Sequence, residues 1–388
     1  MTFDPGGYEA LVAEARAAIT EITVEDLAAR LGQSLLLVDV REPGEVASGI
    51  IPGARAVPMG SLLSDIPSTG LRADSNIVVY CTVGARSALV AKALAEAGFT
   101  SVASLAGGIA RWRTLGHPVE IAGDLSPEQA ERYSRHLVLS EVGADGQQAL
   151  LQSRVLLVGA GGLGSPAALY LAAAGVGTLG IVDGDRIEVS NLQRQVIHAT
   201  PRVGDSKVDS ARLAVTALNP DVSVQTHDED LEAANALTLM AGYDVIVDAT
   251  DNFPTRYLIN DASMHLRTPV VHASVHRFEG QLSVFHPYRG PCYRCLFPQP
   301  PPPELAPSCA QAGVLGVLPG VLGSLQATEV LKLLLGAGEP LVGRLLTYDA
   351  LQQEFLIFRI DRNPQCPTCS DDAHAPQLVD YNAACRPA

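Results

Sequence analysis

The chain has 388 residues, 47% hydrophobic and 18% charged, with 27 basic against 42 acidic side chains for a formal net charge of −15. That length suits two domains, each able to bury its own core. The acidic balance argues against sequence-independent nucleic-acid binding, which needs a basic surface.

The opening stretch MTFDPGGYEALVAEARAAIT has no basic segment followed by an apolar one, so no secretory signal is expected. The longest apolar stretch, Gly313–Leu325, is short for a bilayer span and carries Pro319, which is expected to break it. No membrane partner is expected. Seven cysteines without a signal read as reduced thiols, metal ligands or catalytic groups. The expected location is the cytoplasm.

Strand and helix patterns alternate along the chain, which is the mark of an α/β architecture. After an N-terminal extension (residues 1–19), a first domain is expected over 20–119. It contains strands Leu35–Val40, Asn76–Cys81 and Ser101–Gly108 and a helix Ser87–Gly98. A turn-rich joint follows at 120–126. Ser126 then reads as a helix N-cap, with Pro127 at the first helical position. A helix PEQAERYSRHLVL opens the second domain, expected over 127–388. Further on, the proline-rich stretch Phe297–Ser308 reads as a stiff, extended loop.

Within the second domain, RVLLVGAGGLGSPAALYLAAAG is a strand, then Gly159-x-Gly161-x-x-Gly164, then a helix. Glycines permit the tight turn, and the helix N-terminus offers free N–H groups to phosphate. The next strand ends at Asp183, placed to reach a ribose hydroxyl. This motif alone fits NAD or FAD binding, or a glycine-rich turn without a ligand. The residues C-terminal to it favour a triphosphate. Asn191 and Arg194 come just past the acid, Lys207 lies at a helix start, and DVIVDATDN reads as a strand ending in Asp251 and Asn252. Cations and a strand-end acid suit ATP with Mg²⁺, where charge builds up as pyrophosphate leaves.

RYSRHL, GAGGLGSP, VDGDRIEVSNLQRQ, GDSKV, DATDN and GPCYRCLFP together resemble the MoeB/ThiF family, over roughly residues 127–370. Members are related to ubiquitin-activating enzymes and adenylate the C-terminal Gly-Gly carboxylate of ubiquitin-like sulfur-carrier proteins. By matching position the resemblance implies that Gly162, Asp183, Ser190, Asn191, Leu192, Gln193 and Arg194 bind the nucleotide. It implies Lys207 on the phosphates and Mg²⁺ near Asp251, with Asn252 also among the cofactor-binding residues. It also implies a homodimer in which Arg135 enters the partner's ATP site.

Cys292 and Cys295 form one Cys-x-x-Cys pair, and Cys366 and Cys369 another. Two such pairs can hold one structural Zn²⁺, tying the chain end to its domain; a redox dithiol is the rival reading. Cys309, in the proline-rich loop, is either an incidental thiol or one that receives the activated carrier. Cys385 has no motif around it.

The first domain centres on YCTVGARS, with Cys81 at a strand end. Backbone N–H groups of the loop and the following helix N-terminus favour a thiolate, and Arg86 adds positive charge. With LLLVDVREPGEVASGIIPGA and SLAGGIARWR, this domain resembles a rhodanese, which carries sulfur as a cysteine persulfide. Two features depart from that pattern. Ile50 stands where many rhodaneses have histidine, and the rhodanese precedes its partner domain instead of following it. A Cys-x₅-Arg phosphatase loop is the alternative, but Cys81 and Arg86 are one residue too close for it.

The expected fold is thus an N-terminal rhodanese-like α/β domain plus a Rossmann-like adenylating domain with a Cys₄ zinc site. The expected function is ATP-dependent adenylation of a carrier ending in Gly-Gly, then sulfur transfer from Cys81 to make a thiocarboxylate. A cysteine desulfurase or thiosulfate would charge Cys81. Molybdopterin biosynthesis is the first pathway implied; thiamine, cysteine, tRNA-thiolation and siderophore carriers are alternatives, as is activation alone with a regulatory rhodanese. An NAD-dependent oxidoreductase with an appended rhodanese and a non-enzymatic sulfur- or zinc-binding scaffold stay open.

Overall fold

The computed structural model describes residues 5–32, 35–46, 48–64, 71–120, 125–300, 313–371 and 375–380. The chain divides into two compact units, Met1–Gln148 and Ala149–Ala388.

The first unit holds a five-stranded sheet of β1 (Thr20–Ile22), β2 (Leu36–Asp39), β3 (Arg55–Ala56), β4 (Ile77–Tyr80) and β5 (Val102–Leu105) in the order β1-β5-β4-β2-β3. Every pairing in it is parallel. Parallel strands are covered on both faces, so β4 is a continuous apolar run, Ile-Val-Val-Tyr, and is buried at all its residues. The helix after β4 is Ala85–Glu96, starting two residues earlier than the sequence pattern indicates. β5 stops at Leu105 because Gly107 and Gly108 take left-handed φ of 73° and 56° and open a helix at Gly108. The N-terminal extension contributes a helix, Pro5–Ala18, tied to the Ala85–Glu96 helix by Glu14 and Lys92 at 2.6 Å.

Ser126 caps the helix Pro127–Arg132 with a reciprocal Gln129 contact. The single helix expected from there is two short ones, Pro127–Arg132 and Ser134–Leu137, parted at Tyr133. Both belong to the first compact unit, where the Val138 carbonyl packs against Gly44, 2.5 Å from where a Cβ would stand. Packing thus divides the chain later than the turn-rich joint.

The second unit is built on an eight-stranded sheet. Its strands are β6 (Arg154–Val158), β7 (Thr178–Val182), β8 (Ser223–His227), β9 (Val245–Asp248), β10 (Val270–His276), β11 (Glu279–Phe285), β12 (Arg344–Asp349) and β13 (Glu354–Arg359). The order is β13-β12-β11-β10-β9-β6-β7-β8. The β8-β7-β6-β9-β10 half is parallel, and β10 through β13 continue antiparallel. Loops from the carboxyl ends of β6, β7 and β9 converge, where such sheets bind ligands.

Pro319 does not break the apolar stretch around it. It sits in the first turn of the helix Val317–Leu335, where its missing N–H costs nothing. That helix is the one described element long and apolar enough to cross a membrane. Here it packs on β9, β10 and β11, burying Leu318, Leu322, Ala327 and Val330.

Candidate functional site

Two sites form, one in each unit. In the second, a cavity of about 310 Å³ opens above the glycine loop. Gly162, Asp183, Arg194, Lys207, Asp251 and Asn252 all line it. The loop is a tight fit. Gly159 has φ 103°, and a Cβ on Gly164 would lie 2.0 Å from the Gly159 carbonyl oxygen.

Asp183 is the hub of one wall. Its carboxylate accepts from the backbone N–H of Ala160 (2.8 Å) and of Asp185 (3.0 Å). Burial raises its pKa, while the Lys207 charge and those N–H groups oppose the rise. Lys207 is buried at the start of the helix Lys207–Leu218, with Nζ 2.6 Å from Asp185 and 3.8 Å from Asp183. His198 braces the loop from behind. Its Nε2 donates to the Ala160 carbonyl (3.0 Å), which leaves Nδ1 to accept from Ser210 (2.9 Å). Burial holds its pKa down to about 4, so it is neutral at pH 7.

On the facing wall, the strand ends at Asp248 and not at Asp251. Asp248 is buried and accepts from His272 Nδ1 (2.7 Å), from the Thr250 hydroxyl (2.6 Å) and from the Thr250 N–H (3.1 Å). The last bond turns the chain out of the strand. That leaves Asp251 exposed toward the cavity, while Asn252 caps the helix Phe253–Leu266 by accepting from the Thr255 N–H. Arg256, one turn on, is buried at the cavity and donates to the Thr250 carbonyl (2.9 Å).

Ser190, Asn191, Leu192 and Gln193 do not line the cavity. The Ser190 hydroxyl donates to Glu188, and Asn191 accepts from the Glu188 N–H (2.9 Å). Gln193 lies against Gly316, where a Cβ would come within 2.4 Å of its carbonyl oxygen. This stretch shapes the turn that presents Arg194, whose guanidinium donates to the Ser190 carbonyl (3.1 Å). The lining residues missed from sequence include Gln195, Asp185 and Arg256. Gln195 and Asp185 adjoin motif residues, so proximity could have flagged them. Arg256 carries no local signal. Arg135 is exposed on the helix Ser134–Leu137 of the first unit.

The sulfur atoms of Cys292, Cys295, Cys366 and Cys369 all lie within 4.8 Å of one another. The closest approaches are 3.4 Å (Cys295 to Cys369), 3.6 Å (Cys292 to Cys366) and 4.0 Å (Cys292 to Cys295). A tetrahedron of thiolates around Zn²⁺ has edges of about 3.8 Å, so the cluster fits that ion. The Asn363 N–H points at Cys295 (3.4 Å), a donor suited to a bound thiolate. Cys309 and Cys385 lie outside the described residues, as does most of the proline-rich loop.

In the first unit, Cys81 is buried just past β4. Its sulfur accepts from the Gly84 N–H (3.2 Å) and the Ser87 hydroxyl (3.6 Å). Gly84 has φ 91° and caps the Ala85–Glu96 helix, which aims that N–H at the sulfur. Arg86, expected to add positive charge beside the sulfur, is held in an ion pair. Both its NH groups grip Glu45 (2.6 and 2.7 Å), and the Thr82 hydroxyl joins them. The Arg86 hydrogen bonds hold the Glu45 carboxyl down to about 2.

A glycine-cradled cavity, a Cys₄ cluster and a cysteine held over a helix N-terminus define a nucleotide-binding type of fold joined in sequence to a second α/β domain. The model of the ThiF family matches residues 133–368, and that of the rhodanese-like domain residues 23–115. The chain belongs to the ThiF family and carries a rhodanese-like domain ahead of it.

It is 52% identical over 263 residues to the sulfur carrier protein adenylyltransferase of Thermus thermophilus, covering 66% of this chain and 97% of that protein. It is 52% identical over 262 residues to the SAMP-activating enzyme E1 of Haloferax volcanii, covering 67% and 97%. It is 50% identical over 271 residues to the probable adenylyltransferase/sulfurtransferase MoeZ of Mycobacterium tuberculosis, covering 69% and 68%. The structure of E. coli MccB with ATP has the same fold, with a TM-score of 0.54, 24% identity, and 61% of this chain and 74% of that one covered.

Proposed function

We propose that this enzyme adenylates the C-terminal Gly-Gly carboxylate of a ubiquitin-like sulfur carrier and then sulfurates it from Cys81. The observation that carries the reading is the cavity itself, where Arg194, Lys207 and Asp251 surround the glycine loop. By sequence the proposed domains are residues 20–119 for sulfur and 127–388 for adenylation, with 1–19 as an extension and 120–126 as the linker, although residues 127–148 pack with the first compact unit.

The carrier's carboxylate oxygen forms a bond to the α-phosphorus of ATP as the bond to pyrophosphate breaks. Arg194 and Lys207 offset the charge gathering on the leaving group. Mg²⁺ bound beside Asp251 would neutralise phosphate charge. The fixed N–H groups of the loop hold the phosphates in line, so positioning supplies much of the rate. The outer sulfur of a Cys81 persulfide then attacks the carrier's carbonyl carbon and AMP leaves. A second thiol, from a small-molecule or protein reductant, attacks the Cys81 sulfur, forms a disulfide and releases the thiocarboxylate; Cys309 is the candidate thiol for receiving the activated carrier before that transfer. The Cys₄ cluster holds Zn²⁺ in a structural role. The protein acts as a cytoplasmic homodimer, with Arg135 completing the partner's ATP site, and serves molybdopterin biosynthesis. A cysteine desulfurase or thiosulfate charges Cys81.

The test is mass spectrometry of Gly-Gly carriers incubated with enzyme, ATP and thiosulfate or a desulfurase. One terminal oxygen is replaced by sulfur. Cys81→Ala keeps pyrophosphate exchange and loses the thiocarboxylate. If that variant yields as much thiocarboxylate as the wild type, the rhodanese is not the donor.

A further inference from the structure

We propose that Ser104 and Ser87 form a buried hydroxyl relay that holds the Cys81 sulfur as an anion. Ser87 donates to the sulfur, and Ser104 acts through Ser87 as a positioning residue. The proposal rests on the sulfur-transfer reading of Cys81.

Ser104 lies on β5 and Ser87 in the first turn of the Ala85–Glu96 helix, so the tertiary fold alone joins them. Ser104 Oγ donates to Ser87 Oγ at 2.9 Å, and Ser87 Oγ donates to Cys81 Sγ at 3.6 Å. Both serines are 0% exposed and Cys81 is 1% exposed. No solvent is at hand to take a stray proton, and an unpaired buried hydroxyl is costly.

A serine hydroxyl has one proton to give. With the Ser104 proton directed at Ser87 Oγ, the Ser87 proton is left to point at the sulfur. Every hydroxyl proton in the chain is then paired in one direction, ending at Cys81. A neutral thiol is a weak acceptor, whereas bonds to an ionised partner are about twice as strong as neutral ones. The relay therefore favours the anion, in company with the Gly84 N–H. Arg86 also senses the sulfur, but its bonds to Glu45 come first, so much of its charge is spent elsewhere. A small polar residue filling a core position is the bland account of Ser104. It explains burial but not a chain of donors that terminates on the nucleophile.

The experiment uses the full-length protein with Ser87→Ala, Ser104→Ala and both together. The alkylation rate of the Cys81 peptide by iodoacetamide is followed by mass spectrometry across pH. At pH 7, Ser87→Ala slows alkylation about tenfold, the scale of one lost hydrogen bond to a charged group. Ser104→Ala slows it about threefold. Added to Ser87→Ala, it has no further effect, because it acts through Ser87. Ser104→Thr, which keeps the donor, retains the wild-type rate. Thermal melts of each variant, read on the first unit, report that it is folded.

A wild-type rate for Ser87→Ala at pH 7 overturns the relay. So does an undiminished Ser104→Ala effect in the double variant, or a Ser104→Thr rate as low as that of Ser104→Ala. Alkylation needs no carrier or sulfur donor, so its result stands apart from the fate of the sulfur-transfer reading.

Discussion

Replacing Gly164 by alanine isolates what the glycine loop does. A Cβ at Gly164 would lie 2.0 Å from the Gly159 carbonyl oxygen and 3.0 Å from its carbon. Ordinary contact needs more than about 3 Å, so the loop must open by roughly 1 Å. Gly159 is itself closely packed: a Cβ built on it would lie 2.8 Å from the Ala249 carbonyl oxygen. Any shift also drags the Ala160 N–H away from Asp183, 2.8 Å distant. Overpacking of this kind costs ~1–3 kcal/mol, which lowers the Tm of a unit this size by ~2–12 °C. A misplacement of ~1 Å costs about 10² in rate. Gly161→Ala is the control, because a Cβ there meets only the Gln195 amide at 3.6 Å. Calorimetry should show the Tm loss for Gly164→Ala alone. Pyrophosphate exchange should show the hundredfold drop in kcat/KM for that variant, while any deficit in Gly161→Ala appears as a higher KM for ATP. An unchanged Tm for Gly164→Ala, or an equal Tm loss in both variants, would refute the steric argument.

Cys366→Ser should remove one ligand from the cluster, drop bound zinc from one ion per chain to near none by elemental analysis, and lower the Tm of the second unit. His198 sets a pH dependence. Its folded value, about 4, lies below the ordinary 6.5. The unfolded chain therefore binds the proton first, and stability falls as pH drops from 6.5 through 4. Denaturant melts at pH ~7.5 and ~4.5 should show this loss, and His198→Gln should flatten it. Mixing Arg135→Ala with Lys207→Ala subunits should restore pyrophosphate exchange if Arg135 serves the partner's site; two inactive proteins that stay inactive when mixed speak against it.

Much of this protein is legible locally. The glycine spacing, the acid at the end of β7, the paired Cys-x-x-Cys motifs and the cysteine after an apolar strand each follow from short-range rules. A tight turn needs glycine, a helix start offers N–H groups, and two thiols three residues apart can share an ion. Partnerships across the chain were not legible. The sequence pattern ends β9 at Asp251, but the Thr250 N–H bonds back to Asp248, and His272 from the neighbouring strand seals that acid inside. Ser190–Gln193 carry motif residues yet serve the turn, leaving Arg194 to face the cavity. Arg86 reads as positive charge near the thiol, and its partner Glu45, 41 residues earlier, is evident only in the fold. Ser104 had no signal at all, being one polar residue in a core strand. Local composition sets which backbone shapes are possible at each point. Which side chains meet depends on strand order and on which faces pack, and those are settled only when the whole core closes.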